Sequence, residues 1–227
     1  MQQISRCHID EVIQMKEKIL EELKKRYTLT QKDMQGLQKI KKGTTNIDCD
    51  TYEIEGVGNL FLMNMKAMLG AMKMETYVIT PFSKDLSFCN IDTVQAMGND
   101  MCLFEMYKTS LHDEDLSVFE PIKEKYKDLP EYDGGEHWYD SVRLSSSIGK
   151  KGKKIMAEGN GMLEDCLIAY LDLLEKALDC DPEAKKEEVR KYVDRLIAEG
   201  GMAVDGLSKM IGKEETTKLI RDYMYNI

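Results

Sequence analysis

Between Asp50 and Thr109 the sequence offers five extended segments, and no connection between them is longer than seven residues. A parallel crossover needs about a dozen residues or more, so neighbours joined this tightly must run antiparallel. Asp50–Gly56 alternates Tyr52 and Ile54 against Thr51, Glu53 and Glu55, the pattern of a strand with one wet face. Leu60–Met68 sets Phe61, Met63, Met65 and Ala67 against Asn64 and Lys66. Met74–Thr80, Phe88–Met97 and Met101–Lys108 are rich in Tyr, Val, Ile, Thr, Phe and Met, which suit a pleated, half-buried surface. Gly56–Asn59 and Gly98-Asn99-Asp100 have the chemistry of tight turns, and Gly70 marks a further turn or bulge.

Helical patterns flank this meander. Ile9–Arg26 carries Ile9, Val12, Ile13, Leu20 and Leu23 on one face. Gln31–Ile40 reads as a second, weaker helix interrupted by Gly36, and Glu114–Lys127 as a third, kinked at Pro121. A further strand is expected within Trp138–Ile148, and the basic run Ser145–Lys154 as a flexible loop. Leu163–Leu178 has the most regular apolar stripe in the chain. Asp181-Pro182 starts a helix to about Ala198, and two more follow, the last running from Lys213 to Tyr225. Helices, an antiparallel meander and helices again give an α+β order. A sheet apolar on both faces needs two covers, so the expected architecture is a three-layer α/β/α sandwich around a mainly antiparallel sheet, with residues 1–227 as one domain.

A net charge of −9 argues against nucleic-acid binding and against docking on anionic membranes. No apolar run approaches a membrane span. The opening MQQISRCHIDEV lacks the apolar core of an export signal, so the expectation is a cytoplasmic protein. There the six cysteines, with no close CxxC pair, are free thiols. Three histidines, none at ligand spacing to a cysteine, argue against zinc. The sixteen methionines fit a Met-rich core or an adaptable apolar pocket.

The candidate chemistry lies in carboxylates placed inside apolar strands. Glu75, Asp92 and Glu105 each sit where burial is costly unless the group is paired or hydrogen-bonded. Asp92, between Ile91 and Val94, is a candidate proton donor whose pKa an apolar pocket would raise. Glu75 is a candidate second acid. Glu105 suits an ion pair with a lysine or arginine. Arg143, Lys150, Lys151, Lys153 and Lys154 form a basic cluster outside the helices, suited to an anionic ligand or an acidic partner. His112 and His137 stand alone in polar loops, and no Ser-His-Asp or Cys-His pair emerges from the order of residues.

Three stretches resemble the ferredoxin-dependent bilin reductases and the related red chlorophyll catabolite reductases. They are Thr76–Val94, with strand, proline-bearing loop, strand and aspartate; Gly161–Ala177, with its tyrosine-bearing helix; and the ending Leu207–Tyr225. The resemblance implies a pocket between the sheet and the C-terminal helices that takes an open-chain tetrapyrrole, reduced with electrons from ferredoxin and no metal or flavin of the protein's own. It puts Asp92 at the family's aspartate, and it implies that the basic cluster holds propionates or docks ferredoxin. Where several members carry a histidine on the preceding strand, this sequence reads Glu75-Thr76, and the region of a further acid or amide falls near Gly200. Two other readings stand beside a reductase: a non-catalytic binder of a tetrapyrrole or another flat apolar ligand, and an interaction domain without ligand.

Overall fold

The computed structural model describes residues 14–227; the start of the expected first helix, and Cys7, lie outside the described residues. Eight strands form one antiparallel sheet: β1 (Leu29–Gln31), β2 (Lys39–Lys42), β3 (Thr45–Ile54), β4 (Gly58–Ala67), β5 (Met72–Pro81), β6 (Phe88–Ala96), β7 (Asn99–Tyr107) and β8 (Ile148–Gly152). The order across the sheet is β1-β3-β4-β5-β6-β7-β8, with β2 also pairing with β3. From β3 to β7 each strand pairs with its neighbour in sequence, as the short connections require.

Two hydrophobic cores lie on opposite faces of this sheet. Face A holds Leu60, Leu62, Tyr77, Ile79, Cys89, Ile91 and Phe104 beneath α1 (Gln14–Arg26), α2 (Glu120–Lys125) and α3 (Met156–Lys176). Face B holds Phe61, Met63, Val78, Phe88 and Tyr107 beneath α4 (Pro182–Glu199), α5 (Met202–Ile211) and α6 (Lys213–Lys218), the last continuing as a π-helical segment over Leu219–Tyr225. The protein is thus a three-layer α/β/α sandwich. One layer joins helices from both ends of the chain, because α3 lies beside α1 on face A.

The stripe on α3 is fully buried at Met162, Leu163, Cys166, Leu167, Tyr170, Leu171 and Leu174. Gly159 lets the helix start close against β7: a Cβ there would stand 2.3 Å from Cys102 Sγ. The Tyr170 hydroxyl donates to the Ser87 carbonyl at 3.0 Å, tying the helix to the proline-bearing loop. The helix ends at Lys176, two residues before Leu178, which is 76% exposed instead of continuing the stripe.

The chain then crosses to face B. Asp181 caps α4 by accepting from the Glu183 N–H at 2.9 Å, and Pro182 takes the first turn. Fully buried Lys185 donates to the Thr109 carbonyl at 2.7 Å and lies 3.6 Å from Asp85, so α4 is pinned to two loops at the end of the sheet. The π-helical segment is held from below. Asn59 Nδ2 donates to the Tyr223 and Met224 carbonyls at 2.9 and 3.1 Å, and Thr51 Oγ1 donates to the Tyr223 carbonyl at 3.1 Å. Those donors satisfy carbonyls that a helix end leaves free.

Two local expectations are corrected. Gln31–Ile40 is not helical: Gln35 and Gly36 take left-handed backbone (φ 52° and 94°), and short strands on either side pair with β3. The strand expected within Trp138–Ile148 is displaced. Trp138–Ser141 is a short helical turn, and β8 falls in the basic run that reads as a loop. Pairing with β7 imposes that strand, since Lys150 stands opposite Cys102 and Ile148 opposite Phe104.

Leu171→Ala should remove about 2–5 kcal/mol of stability, the cost of a cavity in a fully buried site. Denaturant unfolding at equilibrium measures it, and an unchanged midpoint would place α3 off the sheet.

Candidate functional site

Side chains alternate across a strand, so one face collects Phe88, Asn90 and Asp92 from β6. Register adds Thr76 and Val78 from β5, and Leu103, Glu105 and Tyr107 from β7. All of these lie on face B, toward the C-terminal helices.

Asp92 stands directly opposite Thr76, whose hydroxyl donates to Asp92 Oδ1 at 2.6 Å. The carboxyl keeps a part-exposed edge, yet it is recessed among protein atoms on its other sides. Burial pushes its pKa from the ordinary 3.8 up to about 7, the Thr76 hydrogen bond opposes the shift, and the nearby charge of Glu105 adds to it. Asn90 points the same way two residues along. It lies beside the Tyr225 hydroxyl, and its buried Oδ1 has no hydrogen-bond partner among the described residues. A buried acceptor left unpaired in this way is uncommon.

Glu105, opposite Asn90, is satisfied within the protein. Its carboxylate accepts from the Tyr107 hydroxyl at 2.8 Å and from Arg143 Nη1 at 3.2 Å, and Arg143 Nη2 reaches Asp140 at 2.9 Å. The ion pair expected of Glu105 therefore forms, and it occupies Arg143.

Aromatic rings wall this region on one side. Phe88 meets Tyr192 and Tyr225 edge-on, with centroids 4.8 and 5.2 Å apart, and Tyr107 lies 4.9 Å from Tyr192. Trp138 closes the wall 5.4 Å from Tyr192, and its indole N–H donates to the Gly200 carbonyl at 3.2 Å. The π-helical segment fixes where Tyr225 falls; such irregular turns recur at functional sites. On the other side, toward the free end of the sheet, Met65, Met74, Val94 and Met101 lie in one cross-strand row and are only partly covered. Face B thus runs from a packed aromatic cluster, past a protonatable carboxyl and an unpaired amide oxygen, to a recess edged by the part-covered methionine row.

Two part-open pockets lie elsewhere. One of about 260 Å³ sits behind Arg143, between Lys108, Ser110, Ser141 and Glu188. The other, of about 280 Å³, lies among α4–α6. Neither is lined by Asp92. Among the described residues, no group of three His, Cys, Asp or Glu side chains could hold a metal ion.

The structure separates Glu75 from Asp92. Glu75 pairs with Thr93, whose hydroxyl donates to it at 3.1 Å, and both lie on face A. Burial raises its pKa, against hydrogen bonds from Tyr77 and Thr93. With the sheet backbone between them, the two carboxyls cannot act on one substrate; the period of two that turns Thr76 toward Asp92 turns Glu75 away.

The basic cluster also divides. Lys150 is 2% exposed on face A, ion-paired with Glu131 and donating to the Leu129 carbonyl at 3.2 Å, so it is not available to a ligand. Lys151 lies on face B, 5.8 Å over the Tyr132 ring, while Lys153 and Lys154 are exposed beyond the strand end. Residues that the sequence left unmarked complete the recess: Thr76, Asn90, Tyr192 and Tyr225. The alternation Asn90-x-Asp92 was the available signal for one of them.

Among solved structures, the chain is similar to the selenomethionine form of phytochromobilin synthase from tomato in complex with biliverdin, with a TM-score of 0.74 and 15% identity, over 92% of this chain and 80% of that one. The chain has the fold of a ferredoxin-dependent bilin reductase. No protein-family model and no curated protein matches the sequence. Within that fold, the strand before Asp92 reads Glu75-Thr76 in the neighbourhood where several members of the resembled family carry a histidine, and Gly200 accepts from the Trp138 indole through its backbone carbonyl.

The raised pKa of Asp92 has a measurable signature. The folded chain keeps the extra proton up to about pH 7, whereas the unfolded chain releases it near 3.8. Between these values the folded state binds more protons, so this contribution to stability is lost as pH rises through the window. Asp92→Asn abolishes the dependence. Its unfolding free energy relative to wild type should rise from about pH 4 to about pH 7 and level off above. A difference independent of pH would mean that Asp92 ionises normally.

Proposed function

We propose that this chain binds an open-chain tetrapyrrole in the face B recess and donates a proton from Asp92 as the pigment is reduced. The observation that carries this reading is the Asp92 carboxyl, held part-protonated near neutral pH in a recess bounded by aromatic and methionine side chains. The fold shared with a biliverdin-bound enzyme supports it. A flat, apolar, conjugated ligand suits the part-covered row of Met65, Met74, Val94 and Met101 beside Asp92.

A two-electron reduction of a bilin takes up two electrons and two protons. In this proposal the electrons come one at a time from a ferredoxin-type donor, and the protein contributes binding and proton delivery. Asp92 gives its proton to the pigment after the first electron raises the basicity of the ligand, and water at the exposed edge of the recess returns it. Thr76 holds the carboxyl in place through its 2.6 Å hydrogen bond. Glu105, paired with Arg143, keeps a negative charge behind Asp92 and so favours its protonated form.

A second reading, a binder without catalysis, is favoured by one specific feature. Opposite Asp92 stands Thr76, which cannot serve as a second acid near neutral pH. Two measurements separate the readings. Titrating the protein with biliverdin and recording absorbance tests the recess; absence of any spectral shift removes both. Single-turnover reduction by reduced ferredoxin then tests the chemistry. Wild type should bleach the bound pigment faster at pH 6 than at pH 8, because Asp92 loses its proton through about 7. Asp92→Asn should bind biliverdin and stall after the first electron. Equal turnover by the two proteins would take Asp92 out of the mechanism, and binding without bleaching by wild type would favour the second reading.

A further inference from the structure

We propose that one end of the sheet is a docking surface for an anionic lipid membrane. Four connections converge there: the β2–β3 turn, the β4–β5 turn through Met68–Gly70, the β6–β7 turn at Met97-Gly98, and the exit from β8 at Lys153-Lys154. Register places them together, since Asn46 pairs with Lys66, Met72 with Ala96, and Asp100 with Gly152.

Two independent features mark this end. The first is apolar. Leu69 is 90% exposed, Met97 85% and Met68 57%, and they are among the few large hydrophobic side chains in the described residues that face water so fully. All three hold left-handed backbone, with φ of 57°, 54° and 53°, at turn positions where glycine or asparagine would sit more easily. They project from two turns, Met68 and Leu69 side by side on one and Met97 on the other. Projecting side chains of this kind suit insertion into the headgroup–acyl boundary.

The second feature is charge. The same connections and the strand ends beside them carry Lys41, Lys42, Lys66, Lys73, Lys151, Lys153 and Lys154. None of these seven pairs with a carboxylate within salt-bridge distance among the described residues, although most other lysines of the chain do. Of the carboxylates near this end, Asp100 is buried and accepts from the Met156 N–H at 3.1 Å, while Glu158, in the first turn of α3, is exposed. A chain of net charge −9 therefore concentrates positive charge around three apolar tips. Net charge alone argues against an anionic surface; its distribution reverses that argument for this end and orients the molecule, since an anionic membrane attracts the lysines and repels the rest.

The test is co-sedimentation of the full chain with phosphatidylcholine vesicles, with and without phosphatidylserine. Binding is expected only to the phosphatidylserine vesicles and should weaken with added salt. Changing Met68, Leu69 and Met97 together to Ser should lower partitioning at least about tenfold, as should changing Lys41, Lys42 and Lys66 to Gln. Both variants should keep the biliverdin spectrum of wild type, which separates this proposal from the pigment site. Leu69→Trp supplies a gain of signal that does not rely on loss of binding: its fluorescence should shift to the blue on phosphatidylserine vesicles, beyond any change seen in wild type. No sedimentation at low salt, sedimentation indifferent to the serine variant, or a Leu69→Trp signal unchanged by vesicles would each overturn the proposal. Retention on polyglutamate without vesicle binding would overturn it too, and would assign the surface to an acidic protein.

Discussion

The central strands are apolar on both faces, and that condition governs the rest of the molecule. Gly58–Ala67 buries Leu60 and Leu62 on face A and Phe61 and Met63 on face B. Such a strand is stable only when each face is covered, so the sequence must supply two helical layers. Covering both faces has a chemical by-product. Any polar residue placed on these strands is taken out of water, and what it meets on its own face decides whether it is a liability or a tool.

The buried ionisable groups show both outcomes. Lys185 is fully buried and lies within reach of Asp85 and the Thr109 carbonyl; Lys150 has Glu131; Glu105 has Arg143 and the Tyr107 hydroxyl. These groups are satisfied and hold loops and helices to the sheet. Asp92 has a threonine hydroxyl and, among the described residues, no ion-pairing cation, so burial outweighs the opposing hydrogen bond and its proton becomes hard to remove. Two residues away, Asn90 keeps an open acceptor. What sets the candidate site apart from the scaffold is that a buried polar group has been left short of a partner.

The strands of the meander and the helices of the second half were legible because they rest on local patterns: short connections, the α3 stripe, and the Asp181-Pro182 cap. Asp92 was legible for a related reason, as a charge inside an apolar run. What the sequence hid is what distant pairing decides. Gln31–Ile40 becomes turns and edge strands because β3 offers partners to both ends of it. The charged run at β8 is a strand only because β7 has a free edge beside it. Glu75 was misplaced by one residue of parity, since a strand divides its side chains between faces and Thr76 took the face of Asp92. Lys150 was misread for the same reason, alternating with Lys151 between a buried face and a wet one.

The grip of Asn59 and Thr51 on the carbonyls of Tyr223 and Met224 spans more than 160 residues of sequence. Contacts between such distant positions pay the largest loop-closure entropy and form after local ones. The hairpins of β3–β7 need no such closure, so the sheet can assemble while the π-helical segment is still undocked. Tyr225, on that segment, lies beside Asn90 and close to Asp92, so it adds to the burial that raises the Asp92 pKa. The proton-holding property of this protein therefore belongs to the final helix as much as to the strand that carries the residue.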